Sequence, residues 1–173
     1  ISDNIQKLVL IEDYIITATS HGIGISRIEY DYDTKTIKTN RNQYVVYDFT
    51  ELSLTEDTVI LGNILYIPQN RTILFPTSIN PNRIEMLEYS IQDNILRRCL
   101  NSEMEQVYEY IDDQQLDELT APVITYNNDT KLYNISFIAR KNTEFDGDHL
   151  ISIIFEYIQN NYNIKNINKL TPS

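Results

Sequence analysis

The residue types that most often carry catalysis are sparse in this chain, and their spacing does not assemble a catalytic site. His21 and His149 are the only histidines, and each lies near a glycine. Two histidines on separate segments lack the third protein ligand that a zinc site requires. Ser20 stands next to His21, but neighbouring side chains on an extended chain point to opposite sides. The serine therefore lacks the base that a nucleophile needs, and we predict no metal site and no catalytic triad.

Cys99 is the only cysteine, and it follows Arg97 and Arg98. Positive neighbours lower the pKa of a thiol and raise its reactivity. The same residue falls where a strand is expected, so a buried structural role is favoured over a nucleophilic one. A single cysteine also excludes an internal disulfide framework, which favours an intracellular, reducing compartment.

Two short acidic segments contain calcium-ligand residue types but are better explained as turns. Asp31 and Asp33 match the start of a calcium loop, whose glycine at position six and glutamate at position twelve are missing here. The Asp-Gly-Asp tripeptide at 146–148 has the composition of a tight turn. Gly22 and Gly24 are the only closely spaced glycines, and no phosphate-loop lysine follows them. The sequence thus predicts no catalytic residue and no cofactor, which indicates a non-enzymatic protein.

The highest concentration of charge lies in the acidic connector, residues 101–120. Ser102 and Glu105 match the capping-box pattern of a helix start, and apolar residues follow near helical spacing, which predicts a short helix within 102–118. The competing interpretation is a strand at 106–110, which echoes the tyrosine-containing segment 43–47. Seven acids lie in the connector with no lysine or arginine between them: Glu103, Glu105, Glu109, Asp112, Asp113, Asp117 and Glu118.

The seven acids have two alternative interpretations. Runs of one charge are usually solvated faces, so the connector can serve solubility alone. The sharper hypothesis is a docking surface for a Lys/Arg-rich segment of another protein. The net charge of -11 agrees with a basic protein partner and opposes binding to nucleic acid or to anionic membrane surfaces.

The elements that carry these residues are predicted to be strands. Isoleucine is abundant, and the chain has 13 Tyr and no Trp, a composition that suits a pleated, half-buried surface. With 4 Gly and 5 Pro, the turns must be made largely by Asn and Asp. No run approaches the roughly 20 apolar residues of a membrane-spanning helix, and residues 1–20 lack a secretory pattern. We therefore predict a soluble protein of the cytoplasm or nucleus.

An internal repeat organises most of the chain. A strand ending in Glu-Tyr is followed after six residues by an aliphatic-basic pair, and turn formers occupy the gap, which predicts a hairpin. Two apolar runs lie upstream of each anchor, so each repeat is predicted to be a four-stranded antiparallel meander. The repeats cover residues 5–38, 63–100 and 121–170 of one β-repeat domain, or a fragment of one, over 1–173. The three anchors are Glu29-Tyr30 with Ile37-Lys38, Glu88-Tyr89 with Leu96-Arg97, and Glu156-Tyr157 with Ile164-Lys165.

Repeated four-stranded meanders resemble the blades of a β-propeller, and the chain is similar to divergent WD40-like propellers. It departs from them in lacking the Trp-Asp pair and the Gly-His dipeptide, and its spacing exceeds the usual blade period of about 40–45 residues. Propellers close with about four to eight blades. The resemblance therefore implies an all-β, incomplete propeller with one acidic, helical insertion, completed by further blades or by a partner chain. Packing of the repeats as a sandwich or barrel stays open.

Three functions remain open from the sequence. The first is a non-enzymatic protein–protein interaction scaffold, a propeller segment of a larger intracellular protein or complex subunit. The second is a secreted or surface β-sandwich that binds carbohydrate through exposed tyrosines and Asn/Asp hydrogen bonds; sequons at Asn70, Asn128 and Asn134 suit it slightly. The third is a propeller hydrolase whose site lies outside this segment.

Overall fold

The structure is a computed structural model whose described residues are mostly antiparallel strand with one α-helix, which confirms the all-β prediction. The chain divides into two compact units, Ile1–Asp57 and Thr58–Ser173. The single domain predicted over 1–173 stays a prediction. Ser20, Asp146 and the linker pair at 43–44 lie outside the described residues. The described ranges are 5–19, 21–39, 45–49, 59–79, 82–99, 102–141, 147–158 and 161–171.

The first compact unit holds one sheet of five strands. Consecutive strands pair antiparallel from β1 to β4, and β5 pairs with the first half of β3 while β4 pairs with the second half. The inward side chains of Ile16, Ile23 and Ile25 are buried. The strands are β1 (Lys7–Ile11), β2 (Tyr14–Ala18), β3 (Gly22–Asp31), β4 (Thr36–Thr39) and β5 (Val45–Asp48).

The second compact unit holds two further five-stranded sheets and the helix. In each sheet two short strands share the same edge of one long strand: β6 and β7 pair with β8, and β11 and β12 pair with β13. The second sheet consists of β6 (Val59–Leu61), β7 (Leu65–Ile67), β8 (Thr72–Ile79), β9 (Arg83–Ser90) and β10 (Ile95–Arg98). The third consists of β11 (Glu118–Leu119), β12 (Val123–Asn127), β13 (Leu132–Arg140), β14 (His149–Ile158) and β15 (Asn161–Leu170).

The predicted meanders are therefore present, with one strand more than predicted in each. Every predicted apolar run forms a strand, and successive strands of each meander pair antiparallel. The extra strand arises because the long strand β3, β8 or β13 extends beyond its short neighbour. A second short segment then pairs with the remaining part of the same edge. No sheet among the described residues closes on itself, and the propeller arrangement stays a prediction.

The Glu-Tyr anchors form hairpins as predicted, but the third hairpin differs in register. In the first two repeats the anchor glutamate faces the basic residue that follows it in the repeat, Glu29 opposite Lys38 and Glu88 opposite Arg97. In the third, Glu156 faces Asn163, because pairing continues to Ile158 and Asn161 and leaves two residues between the strands, whereas four separate the strands of the first hairpin. Equal sequence spacing of the anchor does not fix equal pairing, because the length of the turn sets the register of a hairpin.

Short polar side chains make several of the tight turns, as predicted for Asn and Asp. Asp31 Oδ1 accepts the backbone N–H groups of Asp33 and Thr34 at 3.0 and 3.2 Å. Asn127 Oδ1 does the same for two residues of its own turn. Among the described residues other than glycine, however, the left-handed positions are mostly not Asn: they are Glu12, Lys35, Arg71, Asn94, Gln115 and Lys131.

The acidic connector forms a helix, so the competing strand interpretation of 106–110 is wrong. A 3-10 turn at Ser102–Met104 leads into α1 (Glu105–Asp113). The capping-box prediction is wrong in detail, because Met104 is the N-cap residue and no side chain caps it. Val107 and Ile111 are buried. Gln115 lies beyond the helix end, with a φ of 56°.

One hydrophobic core joins the second sheet, the third sheet and α1. Met86 of β9, Val107 of α1 and Phe155 of β14 are all fully buried members of it. Buried and half-buried residues alternate along β13 and most of β14, which shows that one face of the third sheet is turned to this core. The helix is therefore fixed to the sheets through its apolar side, and its other side is left to solvent.

The segment between β6 and β7 approaches the start of β12 very closely. A Cβ added at Gly62 would lie 1.9 Å from the carbonyl oxygen of Pro122. The adjacent Asn63 bonds both backbone groups of Ile124, donating to its carbonyl at 2.9 Å and accepting from its N–H at 2.6 Å. The second and third sheets are thus joined at this point by main-chain contact and one amide.

Candidate functional site

Three of the predicted partner-binding acids project from the outer side of α1. Glu109, Asp112 and Asp113 are exposed, while Val107 and Ile111 on the same helix are buried in the core. Asp112 also accepts a hydrogen bond from Nδ2 of Asn82 at 3.2 Å. We call Glu109, Asp112 and Asp113 the acidic face of α1.

The other four predicted acids are placed differently. Glu103 accepts the backbone N–H of Ile164 at 3.0 Å, and Glu118 forms an ion pair with Arg140 at 3.1 Å. Glu105 lines a groove of about 520 Å³ together with lysines of β15. The backbone of Asp117 donates to the carbonyl of Arg140. The structure therefore does not bring all seven acids onto one surface.

A second candidate site is a cleft between the second and third sheets, which we call the tyrosine cleft. Its volume is about 530 Å³. One wall comes from β7 and the 3-10 turn Pro68–Asn70, and the other from β12, β13, β14 and the turn after β12. Tyrosine and amide side chains dominate its lining: Leu65, Tyr66, Ile67, Pro68, Gln69, Asn70, Tyr126, Asn128, Tyr133 and Tyr157.

Strand register brings the aromatic rings of the cleft together. Tyr126 faces Tyr133 across β12 and β13, and Tyr133 faces Phe155 across β13 and β14. The ring centroids are 4.7 Å and 5.3 Å apart, respectively. Tyr157 meets Tyr133 edge-on at 6.1 Å. Such pairs stabilise one another beyond the area they bury.

The Asn70 amide is part of the lining of the cleft. Its Nδ2 donates to the hydroxyl of Tyr157 at 3.1 Å, and its Oδ1 is buried without a hydrogen-bond partner. If the amide is turned over, the hydroxyl donates to oxygen instead and the nitrogen loses its partner. One end of this amide is therefore unpaired in either orientation, at a cost of about 1–3 kcal/mol.

A buried carboxylate lies next to Tyr162, whose ring centroid is 5.8 Å from that of Phe155. Glu88, with a side chain only 2 % exposed, bonds Arg97 at 2.8 Å and accepts from the Tyr162 hydroxyl. The thiol of Cys99 donates to the same carboxylate at 3.4 Å. We call Glu88, Arg97, Cys99 and Tyr162 the Glu88 cluster. These bonds tie β9 to β10, to the residue after β10 and to β15, so the cluster supports the fold.

The surroundings of Cys99 support a structural role for this residue. Its side chain is partly buried and its thiol bonds the Glu88 carboxylate. Burial, together with the negative charge of Glu88, raises the pKa of the thiol to about 12. Arg97 lowers the pKa but is outweighed. The thiolate is therefore scarce at neutral pH, and the nucleophilic role considered for this residue has no support from its geometry.

Raising the pH above 9 is expected to destabilise the protein. Burial holds the pKa of Cys99 and of Tyr133 near 12, against 9.0 and 10.0 ordinarily, and raises that of Tyr162 as well. Because the unfolded chain releases these protons first, the free energy of unfolding should fall by about 1.4 kcal/mol per pH unit for each such group until the folded protein also releases them. Urea denaturation followed by circular dichroism from pH 7 to 11 measures this.

Two tyrosine substitutions, one buried and one exposed, test which protons cause the loss of stability at high pH. Tyr162→Phe should make the decline above pH 10 shallower, whereas Tyr32→Phe should not, since Tyr32 is 83 % exposed. A free energy of unfolding that stays constant from pH 8 to pH 11 would contradict the assignment of these protons to the fold.

The remaining residues considered for chemistry are not assembled into a site. His149 Nδ1 lies 2.7 Å from the hydroxyl of Tyr110. The Asp31 carboxylate bonds the Thr34 backbone and Lys38, which lowers its pKa, so turn formation explains this acid. Among the described residues, no group of three or more His, Cys, Asp or Glu side chains is placed to hold a metal ion. The described helix is also too short to cross a membrane.

The tyrosine cleft is the site that sequence reasoning missed. Composition predicts the tyrosines as strand residues, and one of the open functions gives exposed tyrosines a part in carbohydrate binding, but neither prediction names these positions. The spacing of Tyr126 and Tyr133 around a turn is the available signal, since it places the two rings opposite each other in a hairpin. Only the packing of the second sheet on the third adds Tyr66 and Asn70 to them. Comparison of the chain with protein-family models finds no match, and comparison with curated proteins finds none. What these surfaces can bind follows from their own geometry.

Proposed function

We propose that this chain is a non-enzymatic interaction module that binds a Lys/Arg-rich segment of another protein through the acidic face of α1. In this proposal the three sheets are WD40-like propeller blades within a larger intracellular complex subunit. The observation that carries it is the placement of Glu109, Asp112 and Asp113 on the solvent side of a helix whose other side is fixed in the core.

The electrostatics of α1 support a basic partner. Glu109 lies four residues from Glu105 and from Asp113, and like charges at this spacing each destabilise a helix by about 0.2–0.5 kcal/mol. Asp112 and Asp113 also stand at the C-terminal end, where the helix dipole favours bases, and no base occupies its last turn. A bound lysine or arginine segment would relieve both effects.

The test uses the full chain and a lysine- and arginine-rich peptide, titrated by calorimetry. The triple variant Glu109→Lys, Asp112→Lys, Asp113→Lys should weaken binding at least about tenfold, and binding of the wild type should weaken as salt rises. An acidic peptide of equal length should not bind.

The matched control changes net charge equally but elsewhere. Asp33→Lys, Asp93→Lys and Asp129→Lys alter three acids of exposed turns. This control should keep most of the affinity of the wild type. Equal loss in both triple variants would show that net charge, rather than the acidic face, attracts the peptide, and the proposal would then fail.

A further inference from the structure

The tyrosine cleft has the dimensions of a ligand site and no part in the proposed protein contact. Its volume of about 530 Å³ lies within the range of about 300–1,000 Å³ that small-molecule pockets occupy. The acidic face of α1 contributes no residue to its lining. The cleft is too small for a folded partner and large enough for a small ligand or a short chain segment.

The lining of the cleft selects for an uncharged ligand. None of the described residues that line it is Asp, Glu, Lys, Arg or His. The hydroxyls of Tyr133 and Tyr157 keep their protons, because burial raises the pKa of the first to about 12 and that of the second above its ordinary value. A charged ligand would lose water here without gaining an opposite charge.

Two kinds of group are present in the lining. Tyr126, with 37 % of its surface exposed, offers an aromatic ring, and Asn128, which is also exposed, offers an amide. Aromatic faces bind apolar C–H surfaces, while amides donate to and accept from hydroxyls. A molecule that carries both a C–H face and a rim of hydroxyls satisfies both kinds of group.

Carbohydrates and proline-rich segments are two neutral ligand classes that bind aromatic clefts, and the Asn70 amide distinguishes between them. Rotation of this side chain toward the cleft would expose its unpaired end to a ligand. A hydroxyl can donate or accept, so it satisfies that end in either amide orientation. A proline-rich segment in the polyproline conformation offers carbonyl acceptors and few donors, so it satisfies only one orientation.

We propose that the tyrosine cleft binds a neutral carbohydrate, with a sugar ring on Tyr126 and sugar hydroxyls on the Asn70 and Asn128 amides. The mode is non-covalent and needs neither metal nor cofactor. It adds a second binding activity on the same compact unit as the acidic face of α1 and does not depend on that face.

The experiment is saturation-transfer NMR on the full chain with four neutral trisaccharides, maltotriose, cellotriose, mannotriose and triacetylchitotriose, at about 10 mM. At least one is expected to show transfer from tyrosine ring protons. Tyr126→Ala should weaken that binding at least about tenfold, and Asn128→Ala at least about threefold. Circular dichroism checks that both variants fold, which their partial exposure favours.

Two controls separate this proposal from its alternatives. Tyr32→Ala removes a tyrosine that is 83 % exposed and does not line the cleft, so it should leave saccharide binding unchanged. The triple lysine variant of the acidic face should also leave it unchanged. The proposal is overturned if no trisaccharide binds, if Tyr126→Ala binds as the wild type does, or if a proline-rich decapeptide binds the cleft and the saccharides do not.

Discussion

Gly62→Ala is expected to lower the free energy of unfolding by about 3 kcal/mol or more, or to leave the second compact unit unfolded. The methyl group would lie 1.9 Å from the carbonyl oxygen of Pro122 and 2.9 Å from that of Pro76. Both neighbours are main-chain atoms, so no side chain can rotate away, and the second and third sheets must separate locally. Urea denaturation followed by circular dichroism measures the loss.

Asn63→Ala is the comparison variant for this position. It removes the amide that bonds both backbone groups of Ile124 but introduces no overlap. Leaving those groups unpaired should cost about 1–3 kcal/mol, less than the alanine at Gly62. If Gly62→Ala unfolds at the same urea concentration as the wild type, the close approach of the two sheets at this residue is wrong.

Arg97→Met is expected to lower the free energy of unfolding by about 3 kcal/mol. The substitution keeps the apolar stem of the side chain but leaves the Glu88 carboxylate, 2 % exposed, without its cation. Tyr162 and Cys99 still donate to that carboxylate, yet neither carries charge. Replacing both members, Arg97→Met with Glu88→Met, should recover only part of the loss, because it removes the unpaired charge but leaves the Tyr162 hydroxyl and the Cys99 thiol without their acceptor.

The third repeat supplies the matched control. Lys165 and Glu156 stand at the equivalent sequence positions, with nitrogen and oxygen 3.2 Å apart, but their side chains are 45 % and 33 % exposed. Lys165→Met should therefore change the free energy of unfolding by less than about 1 kcal/mol. Similar losses for Arg97→Met and Lys165→Met would show that burial of Glu88 does not set the strength of its ion pair.

Local pattern was enough to predict most of the strands. The apolar runs before each anchor begin and end within a few residues of β1, β2, β7, β8, β12 and β13, because alternation and turn formers act over a few residues. The helix in the acidic connector was predicted for the same reason, since Val107 and Ile111 are one turn apart. The predicted start of the helix at Ser102 was wrong. The N-cap residue is Met104, whose side chain is buried in the core and makes no capping hydrogen bond.

The extra strand in each sheet was beyond local pattern. β6 and β11 are two or three residues long, and their pairing depends on the length of β8 and β13 rather than on their own composition. The different pairing of the third hairpin was also beyond local pattern, because the short turn between Ile158 and Asn161 sets its register without changing the spacing of the anchor.

The two candidate sites also differ in how much of each is visible in a short segment of sequence. The acids of α1 could be found in the sequence, because a run of charge is visible without a fold, but only the structure separates Glu109, Asp112 and Asp113 from Glu103 and Glu118, which are engaged elsewhere. The tyrosine cleft joins residues as distant as Tyr66 and Tyr157, so no local window contains it.

The sequence by itself determined the all-β class, the three Glu-Tyr hairpins and the acidic helix, since periodicity, turn chemistry and charge are properties of short segments. Tertiary structure alone decided how deeply the glutamate of each repeated anchor is buried. The same Glu is exposed at Glu29, buried with an arginine at Glu88 and half-exposed at Glu156. Burial and dielectric surroundings depend on which sheets pack together, and repeated spacing cannot encode them.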